Sequence, residues 1–279
     1  MIKQVYLALL LTILVSAATA QVKMPQPSTT QYIRQDVGIG TIEVTYSRPN
    51  LKGRKIIGNQ DAYDSIWRTG ANAATKLKFS EPVTIGGKLI DTGTYVLYTI
   101  PRKKGDWDVI INKGVTNWGT DGYKMSDDVV RFTAPYTKFK NIKFETFTIN
   151  FNNIKDEGAD LQIMWDNWMV SFPITVNIKD KLRAQIETAL QGEKKPYFQA
   201  ANFYYSMDKD NAKALANVNK AIEGNGKAFW MQLLKAKILK DMGQNAEAKA
   251  SATKCVELAT DAKNSAYVQQ GNELIKSLN

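Results

Sequence analysis

From residue 31 onward the apolar positions recur every second residue. Ile42, Val44 and Tyr46 alternate with Thr41, Glu43 and Thr45, and Leu77 and Phe79 alternate with Lys76 and Lys78. Strict alternation is the mark of a strand with one buried face. The same pattern returns at Trp107, Val109 and Ile111, at Val130 and Phe132, and at Phe147, Ile149 and Phe151. Tyr95 to Ile100 is a run of β-formers that begins after Thr92-Gly93 and stops at Pro101. Two hairpins stand out. Val83 and Ile85 lead into Gly86-Gly87, and Leu161, Ile163 and Trp165 are separated from Trp168, Val170 and Phe172 by Asp166-Asn167. Two turn-forming residues between matched strands predict a tight turn. About nine or ten short strands over 31–177 predict an antiparallel β-sandwich, or a barrel-like variant of it. One helical interruption is expected, with Asp61 capping a turn or two that carries Tyr63, Ile66 and Trp67 and ends at Gly70.

At about residue 178 the period lengthens. Ile178, Leu182, Ile186 and Leu190 fall four apart and Gly192 follows, which predicts an amphipathic helix with a glycine stop. Pro196 suits the first turn of a second helix. NAKALANVNKAIEGN from Asn211 is echoed by NAEAKASATKCVELA from Asn245, an offset of 34 residues, and about 34 is the tetratricopeptide period. Gly243 falls at the turn between the paired helices, and Tyr267 to Leu278 reads as a capping helix. The overall expectation is an α+β multidomain chain: a β-sandwich over 31–177, then tetratricopeptide-like α-helical hairpins over 178–279.

The first twenty residues break both patterns. Lys3 precedes an apolar run from Val5 to Val15, and Ala18-Thr19-Ala20 precedes Gln21. This is the order of a cleaved export signal, and the run is too short to span a membrane, which takes about 20 apolar residues. The protein is therefore expected to be exported, to the periplasm or beyond the cell, and not to span the membrane. Residues 21–30, with Pro25 and Pro27, read as a flexible lead-in.

Composition then removes chemistry. A chain of 279 residues that is 44% hydrophobic and 23% charged is an ordinary globular protein rather than a disordered one. It has no histidine and one cysteine, Cys255. Ser-His-Asp and Cys-His catalysis, His-ligated zinc, His-ligated haem and iron–sulfur clusters are excluded within one chain. So is an internal disulfide, and no cofactor or metal is expected. The formal charge is +10, spread over both parts of the chain. Export argues against nucleic acid, and attraction to acidic polysaccharide or anionic headgroups is open.

Several motifs occur in order: Ser47-Arg48-Pro49, Lys52-Gly53-Arg54-Lys55-Ile56, Ile66-Trp67-Arg68-Thr69-Gly70-Ala71-Asn72, Val83-Thr84-Ile85-Gly86-Gly87, and Tyr98-Thr99-Ile100-Pro101. Over roughly 28–175 the chain resembles the bacterial domain of unknown function 2911 family. The resemblance departs at Asn59 to Asp64, where family members carry a more apolar, proline-containing run. It implies an exported β domain, often with a helical repeat region behind it, and it implies no activity.

The candidate site residues are Arg48, Arg54, Trp67, Arg68, Asn72, Trp118 and Tyr123. Arg68 can hold a carboxylate or phosphate with two hydrogen bonds. Arg48 and Arg54 would complete an anion site if the three guanidiniums converge. Trp67 could stack a sugar face, and Trp118 and Tyr123 lie in a polar glycine-rich loop where exposed rings are expected. Trp107, Trp165 and Trp168 sit in phase on strands and read as core. Carboxylates are the remaining general acids and bases, and a glycosidase needs two of them across a cleft. The leading expectation is a non-catalytic envelope binding protein. Its β domain would take a polar, anionic or carbohydrate ligand, and its helices a protein partner. The rivals are a carboxylate-dependent glycan hydrolase and a purely structural assembly factor.

Overall fold

The computed structural model describes residues 24–278. The signal segment expected over 1–20 lies outside them. The chain divides into two units, the first running to Val176 and the second starting at Asn177.

The first unit contains two antiparallel sheets. One has the order β1 (Thr29–Val37), β2 (Gly40–Arg48), β3 (Thr75–Phe79), β6 (Gly93–Ile100), β7 (Trp107–Asn112) and β8 (Asp128–Ala134). The other runs β10 (Phe144–Lys155), β11 (Gly158–Asp166), β12 (Trp168–Thr175), β4 (Val83–Ile85) and β5 (Lys88–Ile90), with β9 (Tyr136–Lys138) also on β12. Among the described residues twelve strands form where nine or ten were expected. The strands that the alternation did not mark are β1 and the three-residue β9. The lead-in expected to residue 30 ends sooner, because β1 pairs with β2 from Thr29↔Arg48 onward.

Both expected hairpins form. Gly86 and Gly87 join β4 to β5 with φ of 57° and 77°, the double left-handed turn that glycine adopts without strain. Trp165 pairs with Trp168 across the Asp166-Asn167 turn. The sheets pack face to face through large rings. Trp107 meets Trp168 at 4.6 Å and Phe132 meets Phe172 at 5.4 Å. Tyr46 is buried between the sheets, accepting from the Ile149 N–H at 2.9 Å and donating to Gln31 Oε1 at 2.6 Å. β6 is buried on both faces, which is why its sequence is a continuous apolar run rather than an alternation. Leu97 and Thr99 face the sandwich. Val96, Tyr98 and Ile100 face outward beneath a small second core that includes Ile66, Val115 and Tyr123.

Among its described residues the second unit contains six α-helices: α1 (Lys179–Ala189), α2 (Tyr197–Phe203), α3 (Asn211–Gly224), α4 (Phe229–Asp241), α5 (Asn245–Asp261) and α6 (Ser265–Lys276). The starts of α3 and α5 are 34 residues apart, matching the internal repeat. Ala200, Ala201, Phe203, Tyr204, Ala214, Val218, Leu234 and Ile238 form its core, with Leu182, Ile186 and Leu190 of the first amphipathic stripe packed against it. Small residues let these helices approach closely. Arg183 holds Asp208 with two hydrogen bonds of 3.0 and 2.6 Å, and that guanidinium keeps the carboxyl below the usual range. Cys255 is fully buried, which pushes its thiol up. No described helix is long and apolar enough to cross a membrane.

Candidate functional site

The chain between β2 and β3 carries most of the residues singled out from sequence. The short helix expected from Asp61 to Gly70 does not form. Asp61 instead bridges to Ile57, and Trp67 bridges to Thr99 of β6. The Trp67 N–H donates to the Thr99 carbonyl at 2.8 Å, and the Thr99 N–H returns the bond at 3.0 Å. Main-chain groups committed to a strand cannot also close helical turns. The backbone beyond confirms the exclusion: Thr69, Gly70 and Asn72 have φ of 54°, 149° and 58°. A β-branched residue in the left-handed region is a genuine outlier and stores strain of order 1–3 kcal/mol. Thr69 is held there by burial and by its hydroxyl, 3.1 Å from that of Thr99.

An extended segment sends neighbouring side chains to opposite sides. Trp67 goes inward. It is 2% exposed, stacks on Trp165 at 6.1 Å, and meets Phe147 and Trp168 edge-on. Its ring is core, so the expected stacking of a ligand on Trp67 is corrected.

Arg68 goes the other way, to the loop that follows β7. A Cβ on Gly119 would lie 2.9 Å from Arg68 Nη1, so glycine at 119, with φ of 62°, lets the loop backbone close on the guanidinium. Arg68 Nε is buried with no acceptor. Asp61 is near enough for the two charges to interact. Burial raises the Asp61 carboxyl, and the Arg68 charge lowers it in part. The two form no ion pair among the described residues.

The other candidates separate. Arg48 donates to the Phe147 carbonyl at 3.1 Å and to Thr148 Oγ1 at 2.9 Å, tying β2 to β10. Arg54 donates to the carbonyls of Leu51 and Asn50 and to Gln60 Oε1, closing its own loop. A shared cluster of three guanidiniums is therefore corrected to one unengaged arginine and two structural ones. Asn72 donates to Ser47 Oγ and to the Ser28 carbonyl. Trp118 is exposed at 64% and sits beside Gly119. Tyr123, expected to be exposed with it, is half-buried against Tyr98 at 5.3 Å. Its hydroxyl donates to Asp128 Oδ2 at 2.9 Å and accepts from Arg131 at 2.7 Å. Burial and the Asp128 carboxylate push it up to about 12, so it stays neutral and committed to that network.

Sequence reasoning missed a cavity of about 230 Å³ at one end of the sandwich. Trp107, Trp165 and Trp168 line it together with Tyr63 and Tyr136. In-phase placement marks these tryptophans as buried, and they are. What alternation cannot tell is whether an inward ring meets another side chain or an open space. The pairing of Trp165 with Trp168 across a two-residue turn was the available signal, because it puts two large rings at one sheet end. Among the described residues no three carboxylate or cysteine side chains are grouped to hold a metal ion.

Fold and site together define a two-unit α+β protein, whose first unit is an antiparallel double-sheet domain with an aromatic end cavity and an unengaged guanidinium. Residues 28–174 match the family described as "Protein of unknown function (DUF2911)", and the chain belongs to that family. No curated protein and no solved structure matches the chain.

Proposed function

We propose that this is an exported, non-catalytic binding protein of the cell envelope. Its β unit recognises a small anionic or polar ligand at Arg68, and its helical unit engages a protein partner. The observation that carries the reading is the Arg68 guanidinium. It makes no hydrogen bond among the described residues, and its buried Nε has no acceptor. An unpaired buried donor costs about 1–3 kcal/mol, and a carboxylate or phosphate would supply the missing acceptors in the fork geometry that arginine favours. Strain at Thr69 beside it and the exposed Trp118 ring fit a ligand-facing corner. The 34-residue spacing of α3 and α5 is what supports a tetratricopeptide-like partner surface.

The test is thermal denaturation of the protein with inorganic phosphate and with succinate, in wild type, Arg68→Ala and Arg48→Ala. A ligand at a hundredfold excess over its Kd stabilises the folded state by about 2.7 kcal/mol. The expected result is a shift in wild type and in Arg48→Ala that disappears in Arg68→Ala. A wild type unmoved by either anion, with Arg68→Ala merely less stable, makes Arg68 scaffold and overturns the reading.

A further inference from the structure

The aromatic cavity is separate from the Arg68 corner, and its lining is specific enough to name a ligand class. At about 230 Å³ it is smaller than the roughly 300–1,000 Å³ of pockets that hold drug-sized molecules, so it is sized for one ring. Its walls are flat. Trp107 and Tyr136 stack at 5.5 Å with planes 14° apart. Trp107 is 1% exposed, and its indole N–H has no acceptor.

The charged groups add two requirements. Lys55 and Lys138 line the cavity, and neither ammonium has an ion-pair partner among the described residues. Asp166 is the single carboxylate of the lining and reaches only Lys143, at 3.7 Å. Two cations against one anion favour a negatively charged ligand. A carboxylate that accepts only, beside the hydroxyls of Tyr63 and Tyr136, favours a ligand with several hydroxyl donors. Burial, then the nearby Tyr63 and Asp166, raise Tyr136 above its ordinary value, so its hydroxyl remains a neutral donor and acceptor. The loop is also shaped to place Tyr63. A Cβ on Gly58, at a φ of 86°, would run into the Tyr63 ring.

An aromatic acid would satisfy the stacking and the lysines but leave Asp166 and the two tyrosine hydroxyls without partners. A neutral sugar would satisfy the carboxylate and leave both ammoniums unanswered. We propose that the cavity binds a single acidic sugar ring of the hexuronate class. Its C–H face lies on the half-buried rings of Tyr63 and Tyr136, which the buried tryptophans back, its carboxylate is answered by Lys55 and Lys138, and its hydroxyls by Asp166 and the tyrosines.

The test is titration of tryptophan fluorescence with D-glucuronate, D-galacturonate, D-glucose and benzoate. It is run on wild type, on Arg68→Ala, and on the double variant Lys55→Ala/Lys138→Ala, whose side chains are exposed and leave the fold intact. The expected result is saturable quenching by a uronate in wild type and in Arg68→Ala. Binding should weaken about tenfold or more in the lysine double variant, the loss expected for a charge-assisted contact. Glucose should bind about tenfold or more weakly for the same reason. Tighter binding of benzoate than of either uronate overturns the sugar assignment. So does quenching that survives in the lysine double variant but is lost in Arg68→Ala, which would place the acid at the corner. Saturation by none of the four overturns the site itself. None of these outcomes depends on whether phosphate or succinate binds at Arg68.

Discussion

The aromatic cavity and the Arg68 corner meet at one peptide bond. Trp67 turns in to back the cavity walls, stacked on Trp165, and Arg68 turns out to the Gly119 loop. The two regions are built from opposite materials. The cavity owes its shape to packed rings that the fold cannot lose, with the chemistry added at its rim by Lys55, Lys138 and Asp166. The corner owes little of the fold to its central side chain, since the Arg68 guanidinium makes no hydrogen bond or ion pair among the described residues. Stability and recognition are therefore carried by the same residues at the cavity wall and by different residues at the corner.

That contrast predicts a ranked series of effects. Trp168→Ala removes a ring packed on both Trp67 and Trp107 and should lower the stability of the β unit by about 3–5 kcal/mol. Denaturant unfolding followed through the β unit reads this directly, and a loss near zero would mean the wall is not core. Gly58→Ala comes next. Its φ of 86° and the close Tyr63 ring should cost of order 1–3 kcal/mol and displace Tyr63, weakening cavity binding while leaving the corner alone. Binding measured at both sites in that variant would expose any coupling between them.

The three arginines sharpen the comparison further. Arg48→Ala removes two bonds that tie β2 to β10 and should cost about 1–2 kcal/mol. Arg68→Ala, with no bond to lose, should stay within about 0.5 kcal/mol of wild type. Equal losses in the two variants would remove the distinction between structural and unengaged arginines. The smallest effect is on pH dependence. The Arg68 charge holds the Asp61 carboxyl below where burial alone would put it. Stability from that interaction is present while Asp61 is ionised and is lost as pH falls through its folded value. Whatever small deficit Arg68→Ala shows at neutral pH should shrink in acid, and melting curves across that range check the sign.

Much of the architecture was legible in the sequence because it rests on local signals. The glycine pair at 86–87, the Asp166-Asn167 turn and the four-residue spacing from Ile178 each encode geometry within a few residues. The β2–β3 connection was not legible. Asp61, Tyr63, Ile66 and Trp67 have helical spacing, but the main chain of Trp67 pairs with Thr99 more than thirty residues away in sequence, and no local pattern reports that partner. Arg68 stands out in the sequence for the binding chemistry of its guanidinium, yet Arg48 and Arg54 were indistinguishable from it until their carbonyl acceptors on β10 and in the loop were visible. Tyr123 was misread because a polar loop can still fold back on a sheet, here to cover Tyr98. The cavity stayed hidden for the reason that burial and enclosure look alike in a sequence: Trp107 and Trp168 alternate as core residues do, and only the folded end of the sandwich shows the open space that they line with Tyr63 and Tyr136.

The most direct test of the account is a titration of the arginine side-chain Nε–H resonances by heteronuclear NMR, with inorganic phosphate and with succinate as the added anions. Arg68 is identified by the signal lost in Arg68→Lys. The account predicts a saturable shift of the Arg68 resonance with at least one of the two anions, while Arg48 and Arg54, already bonded to main-chain carbonyls, hold their positions. A saturable shift at Arg48 or Arg54 with Arg68 unmoved, or no shift at any of the three, would contradict it.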